Sequence, residues 1–421
     1  MRVLTCVLIA MVYCSQAIAE PLLLNKAVDE ALANNPGLAV IQARADALAQ
    51  IPYQLDSLPD PRLSVNLMNM PLDSFSFTQE GMTQFQVGVS QALPYPGKLA
   101  LKAKAANQMA EAATSTIEEK RLQLASDVKR VWWNIFYLDR ALETNNKNRK
   151  LLRQFYELAE TRYQVGKGQQ QDVLLAQLEI ENLNNNEIQL NNKRRNEVIR
   201  LNIIRDRDPS ENITLPKKIN ERLVKLKHKK ALHDKAREIR PDLIAQQKMV
   251  EASKLQVKLA NKDRMPDFMA SAVYGLRSGD NPDGSSRADF VSLMFSMNLP
   301  VYADKKQHRT EDQRNAEWIQ QKYQLQDKNS QIAAEVAKST ANYETAKAQV
   351  TLFKEKIIPQ AEQTVDAMLA GYQVGKVEFL SLLRSQTMLY NYQTEYWKAI
   401  SVANQALAGL VAAVGEESVY E

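Results

Sequence analysis

Between Gln84 and Leu93 apolar and polar residues alternate, with Phe85, Val87 and Val89 on one side and Gln84, Gln86, Gly88 and Ser90 on the other. The same period of two recurs further on, where Val291, Leu293, Phe295, Met297 and Leu299 oppose Ser292, Ser296 and Asn298. That period predicts strands with one apolar and one polar face. Leu63-Val65-Leu67 and Phe268-Ala270-Ala272 predict their hairpin partners, and the intervening "PLDSFSFTQEGM" and "RSGDNPDGSSR" carry turn residues. Elsewhere the period changes to three and four: Val128, Val131, Ile135, Leu138 and Leu142 in one stretch, and Ile332, Val336, Ser339, Tyr343, Ala346, Val350 and Phe353 in another. These predict helices packed side by side over 97–163 and 305–371, each roughly 100 Å long at 1.5 Å per residue, the second kinked at Pro359. Opening helices are predicted over 24–50 and 235–262, and returning helices over 172–204 and 379–414.

The two sets of elements are copies of one unit. "YQVGK" occurs at 163–167 and again at 372–376. Asn35-Pro36 aligns with Arg240-Pro241, Pro61-Arg62-Leu63 with Pro266-Asp267-Phe268, and Leu93-Pro94 with Leu299-Pro300, in the same order. The chain therefore divides into a first repeat over 20–204, a linker over 205–234 that gathers with both chain ends, and a second repeat over 235–421. Segment lengths give each repeat one continuous helix and two half-length ones. Gly166 and Gly375 break the helices at the far ends, where a left-handed residue can reverse the chain.

Composition changes the picture at three points. Residues 1–19 read as a secretory signal, with Arg2, an apolar core from Val3 to Tyr13 and Ala17-Ile18-Ala19 before the cut. Cys14 raises the alternative of a lipidated N-terminus, although Met11-Val12-Tyr13 is a poor approach to such a cysteine. Both cysteines, Cys6 and Cys14, lie in that segment, so no disulfide, thiolate ligand or thiol nucleophile is expected beyond it. His228, His233 and His308 have no ligand spacing, and no catalytic triad or carboxylate pair is evident, so neither enzyme, cofactor nor metal site is expected. Met68, Met70, Met82, Met265, Met269, Met294 and Met297 cluster near the strands; they read as apolar filler before soft-metal ligands. The formal charge of +5 is spread along the chain and does not point to nucleic acid.

Strands of about ten residues have the length that crosses an outer membrane. Four strands cannot close, and an open edge in lipid leaves backbone groups unpaired at several kcal/mol each, so closure needs several chains. Two copies give eight strands and a filled interior; three give twelve and room for a channel. A coiled-coil protein with a small capping sheet is the competing reading.

The motifs "PDPRLSVNLMNMPL", "VGVSQALPYPGKL", "RYQVGKGQQQDVLLAQLE" and "GYQVGKVEFLSLLRSQ" resemble those of the TolC-like outer-membrane efflux proteins over nearly the whole chain. The wording around Pro96-Gly97-Lys98 and Gly166-Lys167-Gly168 is most similar to the heavy-metal branch, serving cobalt–zinc–cadmium or copper–silver efflux. The resemblance implies a mainly α fold with a small β part: a homotrimer with a twelve-stranded barrel in outer-membrane lipid and a periplasmic α-barrel. It implies an exit duct of a tripartite efflux system in a Gram-negative envelope, working with a periplasmic adaptor and a proton-driven (RND-type) inner-membrane transporter. A duct for type I polypeptide secretion uses the same architecture and stays open, as does a structural envelope protein. Carried over, the adaptor contacts are Val165, Gly166, Lys167 and Asp172 at the first tip and Val374, Gly375 and Lys376 at the second. The tunnel gate is Tyr372 with Glu378, Ser381 and Arg384; the last two stand where relatives often have aspartates. An inter-helix ion pair between Glu378 and Arg384 is expected to hold the tip shut.

Overall fold

The computed structural model describes residues 21–420; the signal segment with Cys6 and Cys14 lies outside the described residues. One element order occurs twice. The first run is α1 (Leu24–Asn34), α2 (Pro36–Asp56), β1 (Arg62–Met68), β2 (Gln84–Leu93), α3 (Lys98–Gln164) and α4 (Gln170–Ile204). The second is α5 (Lys229–Ile239), α6 (Pro241–Lys262), β3 (Phe268–Leu276), β4 (Phe290–Met297), α7 (Gln307–Leu352), α8 (Ile358–Gln373) and α9 (Phe379–Val414). Packing divides the chain into two compact units: one takes the chain up to Pro36, Leu122–Lys229 and from Val336 onward, the other Gly37–Arg121 and Lys230–Glu335.

Each predicted opening helix is in fact two. Asn35 (ψ 117°) and Arg240 (ψ 119°) leave the helical region, because the ring of the following proline excludes it. The side chains freed there are used. Asn35 donates to the carbonyl of Ile204, the last residue of α4, at 2.9 Å. Arg240 makes a forked pair with Glu119 of α3, Nε–Oε2 2.7 Å and Nη2–Oε1 2.8 Å, both side chains buried. Pro359 likewise has its effect upstream of itself. Residues 353–357 form one π turn between α7 and α8, accommodating the missing proline N–H without ending the helix. α3 contains neither glycine nor proline and runs uninterrupted for 67 residues.

The strands form a single antiparallel sheet in the order β1-β2-β3-β4. Its registers set Leu63 opposite Val89, Val65 opposite Val87, Val89 opposite Ala272, and Phe268 opposite Met297. Phe85, Val87, Ala270, Ala272, Leu293 and Phe295 fall on the same side, so one face is mostly apolar, with Gln91 opposite Ala270 as its polar exception. The other face carries Ser64, Gln86, Gly88, Ser90, Ser271 and Ser292, together with Met68, Met269 and Met294. Every residue of both outer strands, β1 and β4, is exposed. Below the sheet, buried Lys98 donates to Asp267 Oδ1 (2.9 Å) and to the Met265 carbonyl (3.0 Å), while the Tyr95 N–H donates to the same carboxylate at 2.8 Å. The Pro-Gly-Lys and Met-Pro-Asp motifs are thus two halves of one junction.

In the other unit the core changes character along α3. Trp132, Trp133 and Phe136 stack and abut, with centroids 5.2–5.9 Å apart. Val128, Val131, Ile135 and Leu138 are buried as the period predicts, Leu142 only partly so; in α7 Thr340 is buried and Ser339 half-buried. The linker meets both ends of the described residues here, with Leu22 N–H donating to the Thr214 carbonyl (2.8 Å) and Lys227 N–H to that of Val419 (3.0 Å). Val224 accepts from both Tyr343 Oη (2.7 Å) and Lys347 Nζ (2.9 Å). α9 is long and apolar enough by composition to cross a membrane, yet half of that stretch is buried among its neighbours.

Removing one partner of a buried ion pair costs about 3–5 kcal/mol, because the other charge stays desolvated. Glu119→Ala is therefore expected to lower the unfolding temperature of the detergent-solubilised protein more than Glu335→Ala, whose carboxylate is over half exposed and 3.5 Å from Arg240. Equal melting of both variants and parent would remove Glu119 from the account.

Candidate functional site: the paired helical tips

The first tip joins the end of α3 to the start of α4, the second α8 to α9. In the first, the Gly166 N–H donates to the Tyr163 carbonyl (2.9 Å) and the Lys167 N–H to Arg162 (2.8 Å); in the second, Gly375 donates to Tyr372 (3.0 Å) and Lys376 to Gly371 (2.9 Å). This paired closure of the last carbonyls needs a left-handed residue one step past the cap, and Gly166 (φ 69°) and Gly375 (φ 76°) supply it. "YQVGK" is therefore the wording of one turn. Tyrosine and glutamine end the helix, valine is the cap, glycine reverses the chain, and the lysine backbone bonds back.

The flanks of the motif differ in a compensated way. The residue before the tyrosine is Arg162 in one tip and Gly371 in the other; the residue after the lysine is Gly168 in one and Val377 in the other. These two positions touch. A Cβ on Gly168 would lie 3.0 Å from the Arg162 Cβ, and one on Gly371 would lie 2.5 Å from a Val377 methyl. Each turn has room for one side chain there, and the two tips place it on opposite sides.

Arg162, which the motif reading missed, joins the two tips. Its Nη1 donates to the Gln373 carbonyl at 2.6 Å, its Nη2 to the Lys167 carbonyl at 3.1 Å, and its guanidinium lies over the Tyr372 ring at 4.9 Å. Tyr372 is 3% exposed and packs on Phe379, with centroids 5.2 Å apart. Its hydroxyl donates to Asp172 Oδ2 at 3.3 Å. Leu152, Phe155, Ala176 and Leu382 complete the apolar floor. Further from the tip, Asn145 and Asn148 replace apolar seam residues: Asn145 bonds Leu183 of α4 and Tyr390 of α9, and Asn148 bonds Gln386 of α9.

A cleft of about 640 Å³ gathers Gly166, Lys167, Asp172, Tyr372, Gly375, Lys376 and Glu378. Val165 and Val374 are exposed at the tips outside it, as are Ser381 and Arg384 on α9. Glu378 is the extended N-cap residue of α9, and Arg384 lies six residues further on within the helix. Among the described residues no ion pair joins them, so the pairing expected from the sequence is not made within one chain. No group of His, Cys, Asp or Glu among the described residues is placed to hold a metal ion.

Burial, reinforced by the Asp172 charge and hydrogen bond, pushes the Tyr372 phenol up from 10.0 to about 12. The folded value lies above the unfolded one, so the contribution is complete below pH 10 and is lost as pH rises towards 12. Amide exchange over 160–176 and 368–384 is expected to accelerate across that window in the parent, and Tyr372→Phe to lack the step. Arg162→Ala is expected to speed exchange at both tips at neutral pH, a local loss of about 1–3 kcal/mol. Exchange unaltered at the second tip would show that Arg162 does not join the two.

The outer membrane efflux protein family model matches residues 27–204 and 232–416. Outer membrane protein TolC of Escherichia coli (strain K12) is 24% identical over 153 residues, which take in 33% of this chain and 30% of TolC. The chain thus spans under a third of the length of that curated relative. Among solved structures, the channel-forming CusC has a TM-score of 0.80 at 16% identity, over 93% of this chain and 92% of its own. VceC from Vibrio cholerae has a TM-score of 0.77 at 19% identity, over 93% and 96%. At such identities the structures establish a shared fold of long helices on a small antiparallel sheet. The family model, covering most of the chain in two successive segments, establishes more: the chain belongs to the outer membrane efflux protein family, and its place is the outer membrane.

Proposed function

We propose that the protein is the exit duct of a tripartite efflux system, a homotrimer whose sheets close into a twelve-stranded barrel. The observation that carries this is the sheet. It has one mostly apolar face, an opposite face where polar and small side chains are mixed with methionines, and two open edges. In hydrocarbon the open edges demand partners, and three copies leave an aqueous lumen lined by the polar face. The tips supply the surface for the partner. Val165, Gly166, Lys167 and Asp172, with Val374, Gly375 and Lys376, are the contacts for a periplasmic adaptor, because they lie at or beside two turns a partner can reach. Tyr372, Glu378, Ser381 and Arg384 form the gate, with Glu378 and Arg384 pairing between chains. The inner-membrane partner is a proton-driven transporter of the RND type. The cargo is small solutes, and the wording of the Pro-Gly-Lys and Gly-Lys-Gly-Gln-Gln-Gln-Asp motifs favours heavy-metal cations.

Deleting the gene is expected to sensitise cells to zinc, copper or silver while leaving protein export intact. The purified protein is expected to conduct in planar bilayers, and Glu378→Ala and Arg384→Ala to raise that conductance. Loss of polypeptide export with metal resistance unchanged would favour the secretion duct. An absence of conductance would favour a structural envelope protein, and unchanged conductance in both variants would remove the gate pair.

A further inference from the structure

The polar face of the sheet is almost without charge, and the exception has a fixed place. Near the end from which the helices run, one row crosses the sheet as Arg62–Ser90–Ser271–Met294. Among the described residues of the four strands Arg62 is the only Asp, Glu, Lys or Arg. Its side chain is exposed, and among the described residues no hydrogen bond or ion pair engages its guanidinium. Asp60, the carboxylate nearest to it in sequence, is exposed as well and makes no ion pair with it. The repeat shows how unusual this is. Pro61-Arg62-Leu63 aligns with Pro266-Asp267-Phe268, so Arg62 holds in the first run the position that Asp267 holds in the second. The Asp267 carboxylate is already paired, accepting from Lys98 (2.9 Å) and from the Tyr95 N–H (2.8 Å). One position of the repeat thus carries a compensated anion in one run and an uncompensated cation in the other.

We propose that Arg62 is a selectivity-determining residue of the barrel, an anion-contacting group on the lumen wall that biases passage towards anionic solutes at the helix-bearing mouth. This rests on the duct reading above, in which the polar face lines the lumen with one such arginine from each copy. A guanidinium carries a delocalised charge and five N–H donors in a planar fork, and it takes carboxylate, phosphate or sulfate oxygens two at a time. Rings of like-charged side chains set the sign of the ions a pore prefers, with arginine and lysine favouring anions. The field of an exposed charge reaches about 10 Å into water at about 0.1 M salt and about 3 Å at about 1 M. Neutral side chains in every other row leave that field without an opposing charge on the strands. A metal cation in this barrel meets no carboxylate on the strands either, so the wall repels such cargo at the Arg62 row and does not retain it. Weak holding is what conduction requires, because a solute that binds a pore wall tightly leaves it slowly.

Reversal potentials of the full-length protein in planar bilayers, measured across a potassium chloride gradient, read the chloride-to-potassium permeability ratio. At about 0.1 M salt Arg62→Gln is expected to lower that ratio a few-fold, Arg62→Glu to lower it further, and Arg62→Lys to keep it near the parent's. These differences are expected to vanish at about 1 M, where the charge is screened within about 3 Å. A ratio unmoved in both Arg62→Gln and Arg62→Glu at the lower salt overturns the assignment and leaves the duct standing. A change that persists undiminished at the higher salt does the same, because it reports an altered pore shape and not a field. A parent protein that does not conduct overturns the duct and the role of Arg62 together.

Discussion

A backbone N–H or C=O in hydrocarbon has no water to turn to, and this requirement organises the molecule more than any side-chain contact. A sheet of four strands pairs its two inner strands completely and leaves one row of groups open on each outer strand. Among the described residues every position of both outer strands is exposed. The face that carries apolar residues on all four strands makes water an equally poor environment for the sheet. On the proposed reading, the sheet is one part of a surface that closes through copies of the chain.

Away from the sheet the constraints are those of long helices. A helix of 67 residues is straightforward to continue and hard to stop, so the informative residues are the ones that interrupt it. Asn35 and Arg240 are released by the prolines that follow them and put the freed side chains to structural use. The π turn absorbs Pro359. The two tips end their helices by the same pair of backbone bonds, and the side chains around them then diverge. Tyr372 sinks into the floor between Phe379 and Arg162, while Lys167 and Lys376 stay at the rim. A single arginine thus bears on the mouth of both hairpins.

Much of this was legible in the residues. Strict period two located the strands and their faces, because alternation has one geometric meaning, and the repeat located the turns. Return helix α9 matches its predicted span, and α3 differs from its own by one residue at each end. The split of each opening helix was also legible, through the proline rule applied to Asn35-Pro36 and Arg240-Pro241, but the apolar period runs on across the break and hid it. Arg162 could not be found by matching the copies, since it is where they differ; only the folded tip shows it reaching Gln373. Asn145 and Asn148 were hidden for a similar reason. A polar stretch on a long helix reads as solvated surface until the helices that receive its hydrogen bonds are in place.

The compensated glycines at the tips have a consequence for how such a chain can change. In the first turn the bulk sits on Arg162 and the space on Gly168; in the second the bulk sits on Val377 and the space on Gly371. A Cβ added at Gly371 meets a Val377 methyl at 2.5 Å, and one at Gly168 meets the Arg162 Cβ and the Tyr163 nitrogen at 3.0 Å, so filling either glycine requires its turn to shift. Moving bulk from one side to the other one residue at a time without that shift passes through a tip with glycine at both places, the loosest form of the hairpin. The two ends of the duplicated unit are thus separated by a shallow ridge in sequence space, and each can accumulate its own surface without drifting back into the likeness of the other.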